Sequence, residues 1–204
     1  MDNEWEVFIT ERTIIAKSYI DTNFLNYTPS INKFQLADGD LPTDASDAIK
    51  GINKNSTEQN TDSYKLFSDE VEKLKDTEPK EEEWEKVVNL ASDRAKVTAN
   101  AIIDGAAETA KSFIKNLPPL QRMPAANLYD TGLQCVLQFA KKVFEGISKI
   151  MSSIVEFLAG IWNKITEVWN NVQSLAKQAI DAIFGGMLLQ FDELEEPEEP
   201  AVVE

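Results

Sequence analysis

The sequence predicts an all-α protein, an elongated helical bundle built on a long antiparallel hairpin, and three features carry that expectation. From Leu133 to Phe184 apolar residues recur at three-and-four spacing, from Leu133, Val136 and Ala140 through Ile165, Val168 and Val172 to Leu175 and Ala179. This spacing keeps one face of a helix against a neighbour. A second run, from Trp84, Val88 and Ala91 through Ile102 and Gly105 to Phe113, has the same spacing. Between the two stand Pro118, Pro119 and Pro124, and proline removes a backbone donor, so it cannot continue a helix interior.

Taken from the N-terminus, residues 4 to 20 read as a first helix. Asp2 or Asn3 serves as cap, Glu4 and Glu6 favour the positive end, and Trp5, Phe8, Ile15 and Tyr19 share a face. From Asp21 to Asn60 the chain is rich in Asn, Asp, Thr and Ser, with Pro29, Gly39, Pro42 and Gly51 as punctuation. It reads as loop with a helical turn or two near Asp44 to Ile52. Tyr64, Phe67, Val71 and Leu74 then place a helix from about Thr61 to Lys75. After the charged break Asp76 to Glu83 a helix is expected from about Lys80 to Leu117. Its middle is small, with Ala101, Gly105, Ala106, Ala107 and Ala110, and the bulkier row of residues 133 to 184 complements it.

That last segment reads as a single helical arm of roughly 75 Å at about 1.5 Å per residue. Its stepping departs from a strict heptad at Ile154, Leu158 and Ile161, where the supercoil relaxes. A second apolar row of Leu137, Phe144, Met151, Trp162, Trp169 and Ile183 widens the buried arc, and Phe144, Met151, Leu158, Trp162, Trp169 and Ile183 make the candidate interaction face. By domain, the chain divides into an N-terminal helix and Asn/Asp-rich loop region (1–60), a long-helix bundle (61–190) and an acidic disordered tail (191–204).

Composition excludes several classes. With 204 residues, 43% hydrophobic and 27% charged, the chain is long enough to bury a core. A net charge of -15 argues against nucleic acid, which is bound by clustered Lys and Arg. The charge is uneven: the 19 residues from Gly186 carry seven acids and no base, whereas residues 132 to 185 carry five Lys against four acids. The long segment is close to neutral, so electrostatics does not keep it from a partner or a membrane. The start MDNEWEVF has no basic and apolar regions of a signal peptide, and no uncharged apolar run reaches the roughly 18 residues of a spanning helix. A soluble resting state, cytoplasmic by default, is expected.

Candidate chemistry is sparse. There is no His, the commonest general base and transition-metal ligand, and Cys135 is the single cysteine, better suited to a small buried hydrophobe than to a nucleophile. Asp38, Asp40, Asp44 and Asp47 do not make a calcium loop, because Gly39 is misplaced, Pro42 stiffens the ring and no Glu closes it. Asn26-Tyr27-Thr28 and Asn55-Ser56-Thr57 match the glycosylation triplet and read as turns. Glu81 to Glu83 complement a helix dipole, and Gly185-Gly186 is a helix stop. No catalytic, cofactor or metal site is assigned.

The coarse organisation of residues 60 to 190 resembles that of α-helical pore-forming toxins and fungal helical cell-death domains, in architecture and through no residue motif. Lipid-surface coat proteins and bacterial granule-binding proteins share the same pattern. The expected function is non-enzymatic: helix–helix association with itself or another helical protein, possible at a membrane surface. A component of a pore-forming or membrane-disrupting system is the alternative, and an enzyme using carboxylates alone is the third.

Overall fold

Glu4 and Glu6 sit in the first turn of helix α1 (Glu4–Asp21), where the Asn3 carbonyl accepts from the amides of Glu6 and Val7. The helix ends as Asn23 and Phe24 take positive φ of 51° and 58°. Phe24 tolerates this left-handed geometry because its ring is buried 5.5 Å from Tyr27 and 5.7 Å from Phe144, centroid to centroid. Four further helices follow: α2 (Thr43–Glu72), α3 (Glu81–Ile114), α4 (Pro119–Ser152) and α5 (Leu158–Gly185). This computed structural model describes residues 3–27, 41–74, 81–152 and 158–185; at 81, 150–152, 158–165 and 185 it describes the backbone alone. Among the described residues there is no strand.

Cross-helix contacts fix the helix directions. Lys17 Nζ lies 2.6 Å from Asp104 Oδ2 and Asn100 donates to Asp21 at 2.7 Å, so α1 runs antiparallel to α3. Arg12 meets Asp130 at 3.5 Å and Phe24 meets Phe144, so α1 runs parallel to α4. On the other flank Ala48 to Gln59 of α2 face Ala101 to Thr109 of α3, and Glu70 pairs with Arg94, making these two antiparallel. Helix α4 packs against all four of the others. Between positions 121 and 147 only Asn127 is exposed, which makes α4 the axis of the bundle.

Two apolar clusters fill the interior. One joins α1 to the C-terminal half of α3 and the first two-thirds of α4 through Ile9, Ile20, Ile103, Ala110, Tyr129 and Leu133. The other joins the C-terminal half of α2, the start of α3, the end of α4 and α5 through Tyr64, Phe67, Trp84, Phe139, Ile147 and Ala179. The large apolar surfaces they remove from water drive the assembly.

The all-α expectation holds, and several details are corrected. Residues 133 to 184 are not one helix. A Cβ built on Gly146 would lie 2.6 Å from Val168 Cγ1, whereas twenty-two residues along one helix span roughly 33 Å. The chain therefore folds back, and α5 packs on α4 instead of extending it. Three-and-four spacing persists through both helices because each buries a face of the same period, and the residues joining them, Ser153 to Phe157, are largely apolar too. The irregular step at Ile154 lies outside the described residues.

The expected loop before residue 60 is also overturned from Thr43 onward, since α2 runs unbroken from Thr43 to Glu72 and crosses the boundary drawn at 60. Asp44 Oδ1 accepts from the Ala45 amide at 2.9 Å at its start. Pro119 opens α4, and Pro124 lies inside it instead of in a connection. Helix α3 packs more extensively on α2 than on α4, so the expected pairing with residues 133 to 184 is only part of its environment. In α1 the buried face is Trp5, Ile9, Thr13, Ala16 and Ile20, leaving Ile15 exposed. The acidic tail lies outside the described residues, as do Asp38 and Asp40.

Candidate functional site

The seat of α5 is the arrangement closest to the expected interaction face. Val172, Leu175, Ala176, Ala179 and Ile183 are buried at the spacing of one helical stripe, while Glu167, Asn170, Ser174, Lys177 and Asp181 are exposed opposite them. Of the other helices, α5 makes its main contacts with α2 and α4. Against α4, Gly146 lets Val168 approach where any larger residue would collide. Against α2, the rings of Trp169 and Tyr64 stack with centroids 5.8 Å apart and planes at 12°, and Phe67 lies 5.6 Å from Tyr64.

Of the predicted face residues, Phe144 falls in one cluster and Trp169 packs against the other. Phe144 is 6% exposed and belongs to the cluster that seats α1, through Phe24. Ile183 is 4% exposed. Trp169 is half-buried and packed on the second cluster. The side chains of Met151, Leu158 and Trp162 lie outside the described residues. Phe184, absent from the predicted row, is 42% exposed at the end of α5.

Burial disfavours the charged forms of Tyr64, Cys135 and Asp130. Burial pushes the Tyr64 phenol above its ordinary range, and its hydroxyl has no hydrogen-bond partner among the described residues. Burial also pushes the Cys135 thiol up to about 11, which keeps it protonated and a weak nucleophile near neutrality. Desolvation raises the Asp130 carboxyl, opposed by the Arg12 guanidinium and a hydrogen bond from Gln134. Among the described residues no three His, Cys, Asp or Glu side chains are grouped to hold a metal ion, and no helix is long and apolar enough to cross a membrane.

A feature missed in the sequence lies on α2. Lys50, Asn53, Ser56, Thr57 and Asn60 are all at most 9% exposed, a polar stripe on the inner face of the helix. Asn55-Ser56-Thr57 is thus helical, with Ser56 and Thr57 buried, and not a turn. The signal was present as three-and-four spacing from Ile49 through Asn53, Thr57 and Asn60 to Tyr64, but in residue types that ordinarily mark loops. The chain matches no protein-family profile, no curated protein and no solved structure.

Proposed function

We propose that the protein is a non-enzymatic helix–helix association module whose working element is α5. The observation that carries this reading is the seating of α5: an amphipathic helix docked mainly on α2 and α4, with its apolar stripe facing inward and Trp169 half-exposed at the rim. Such a helix exchanges its intramolecular groove for an equivalent groove on a second copy or on another helical protein, because the stripe is satisfied equally by either. The protonated Cys135 and the histidine-free sequence support binding over catalysis.

The same face at a lipid surface is the second form of the reading, favoured by Trp169 and Phe184 along one helix, since such side chains settle at the boundary of headgroups and acyl chains. Size-exclusion chromatography with light scattering, run with and without neutral liposomes, tests both. Association predicts a mass above the monomer or co-elution with liposomes. A change in tryptophan emission should accompany it and be missing in Trp169→Phe. A monomer at every concentration, with emission unmoved by liposomes, defeats the reading.

A further inference from the structure

We infer that the middle of α2, from Gly51 to Thr61, is a hinge built into the bundle, the place where it opens first. Buried large apolar side chains anchor α2 at both ends, Ile49 in one cluster and Tyr64, Phe67 and Val71 in the other; between them the buried positions are all polar, and half-buried Ile52 is the single apolar side chain from Gly51 to Thr61 that packs on a cluster. Helix α4 has no such gap: Leu137 and Ala140 of one cluster interleave with Phe139 and Val143 of the other.

The buried polar groups do little to hold α2 to its neighbours. Ser56 donates to the Ile52 carbonyl, Thr57 to Asn53, Asn60 to Ser56 and Thr61 to Thr57, all within the helix. These bonds are satisfied whether or not α2 is docked, so docking gains nothing from them. Among the described residues one bond crosses to α4, from Asn53 Nδ2 to the Tyr129 carbonyl at 3.2 Å, and it leaves Asn53 Oδ1 buried without a partner there. On the other face an open groove of about 410 Å³ separates this stretch from α3, and a Cβ on Gly51 or on Gly105 across it would meet nothing within 4 Å. Packing is thin on that side and polar on the other. Local propensity adds to both: Gly, Asn, Ser and Thr are among the weaker helix formers. A segment with few apolar contacts and weak propensity is the low-stability unit of a fold. Its opening would uncover the Tyr129–Gly132 surface of α4, on which Asn53 rests. The inference stands apart from the role of α5.

Hydrogen exchange on the full-length protein, resolved by residue or short peptide, tests this under conditions where opening is in equilibrium. Amides of residues 53–61 are expected to exchange at least about tenfold faster than those of 64–71 and of 133–144 in α4. Gly51→Ala, which fits the open space, should slow exchange in 53–61 by about fivefold and leave α4 unchanged. Equal protection along α2 in the parent protein would overturn the hinge. So would an equal slowing of every helix by Gly51→Ala, which would show that α2 opens only with the whole bundle.

Discussion

Substituting Gly146 by alanine tests the fold-back of α5 directly. The change has two opposed effects. Alanine in a helix interior is favoured over glycine by about 1 kcal/mol. The new methyl, however, would lie 2.6 Å from Val168 Cγ1, about 1 Å inside the distance of optimal carbon–carbon contact. Val168 cannot rotate away cheaply, because a β-branched side chain in a helix has one strongly preferred rotamer. Helix α5 must shift instead, and overpacking of this kind costs about 1 to 3 kcal/mol. The net expectation is a loss of about 0 to 2 kcal/mol, too small to interpret alone. The double-mutant cycle with Val168→Ala isolates the clash, since removing the Val168 methyls makes room. Urea titrations of the parent, both single variants and the double variant should give a coupling of about 1 kcal/mol or more, with the double variant more stable than the singles predict. Additivity within about 0.5 kcal/mol would mean the two side chains do not touch, and the packing of α4 on α5 would be refuted.

Other substitutions probe separate parts of the structure. Tyr64→Phe removes a buried hydroxyl that has no partner among the described residues, so a gain of about 1 kcal/mol is expected in thermal or urea unfolding; a loss would mean the hydroxyl is hydrogen-bonded. Gly105→Ala should stabilise by about 0.5 to 1 kcal/mol because nothing occupies the space beside it. Ala106→Trp, one position on and 9% exposed, should cost about 1 to 3 kcal/mol, and equal effects at the two positions would contradict the assigned face of α3. For Asp130 the folded-state pKa is raised above its unfolded value by burial. The folded protein therefore holds the proton more tightly, and the penalty is fully present above the folded pKa and fades as pH falls through it to the unfolded pKa. Urea midpoints measured from neutrality down to acid pH should move in favour of the parent protein relative to Asp130→Asn, and the opposite trend would assign the ion pair with Arg12 the larger effect.

The helices most legible in the sequence are those whose apolar periodicity is clean. Leu133, Val136, Ala140, Val143 and Ile147 are all buried as their spacing requires, and α1 and α3 begin and end within a few residues of their sequence signals. What escaped is explained by how little periodicity encodes. It reports which face of a helix is covered and says nothing about chain reversal, so α4 and α5 merged into one arm. It also identifies a buried face only when that face is apolar. On α2 the inner positions are Asn53, Thr57 and Asn60, and a composition typical of loops concealed a helix of 30 residues. The spacing puts the interaction face on one continuous helix, whereas α5 packs back on α4, with Phe144 against Phe24 and Trp169 against Tyr64.

The position of α4 at the axis has a consequence for synthesis. A nascent chain that has emerged through α3 has the α2–α3 hairpin available to it, two adjacent helices with extensive mutual contact. Helix α1 can meanwhile pack on α3, but the part of its apolar face that α4 covers must wait for a helix that emerges roughly a hundred residues later. Domains are made at about 5 to 20 residues per second, so this apolar surface stays open for several seconds on every ribosome. A nascent chain arrested before Pro119 should accordingly be a strong client for chaperones that hold exposed apolar helices, and one arrested well beyond Ser152 should not.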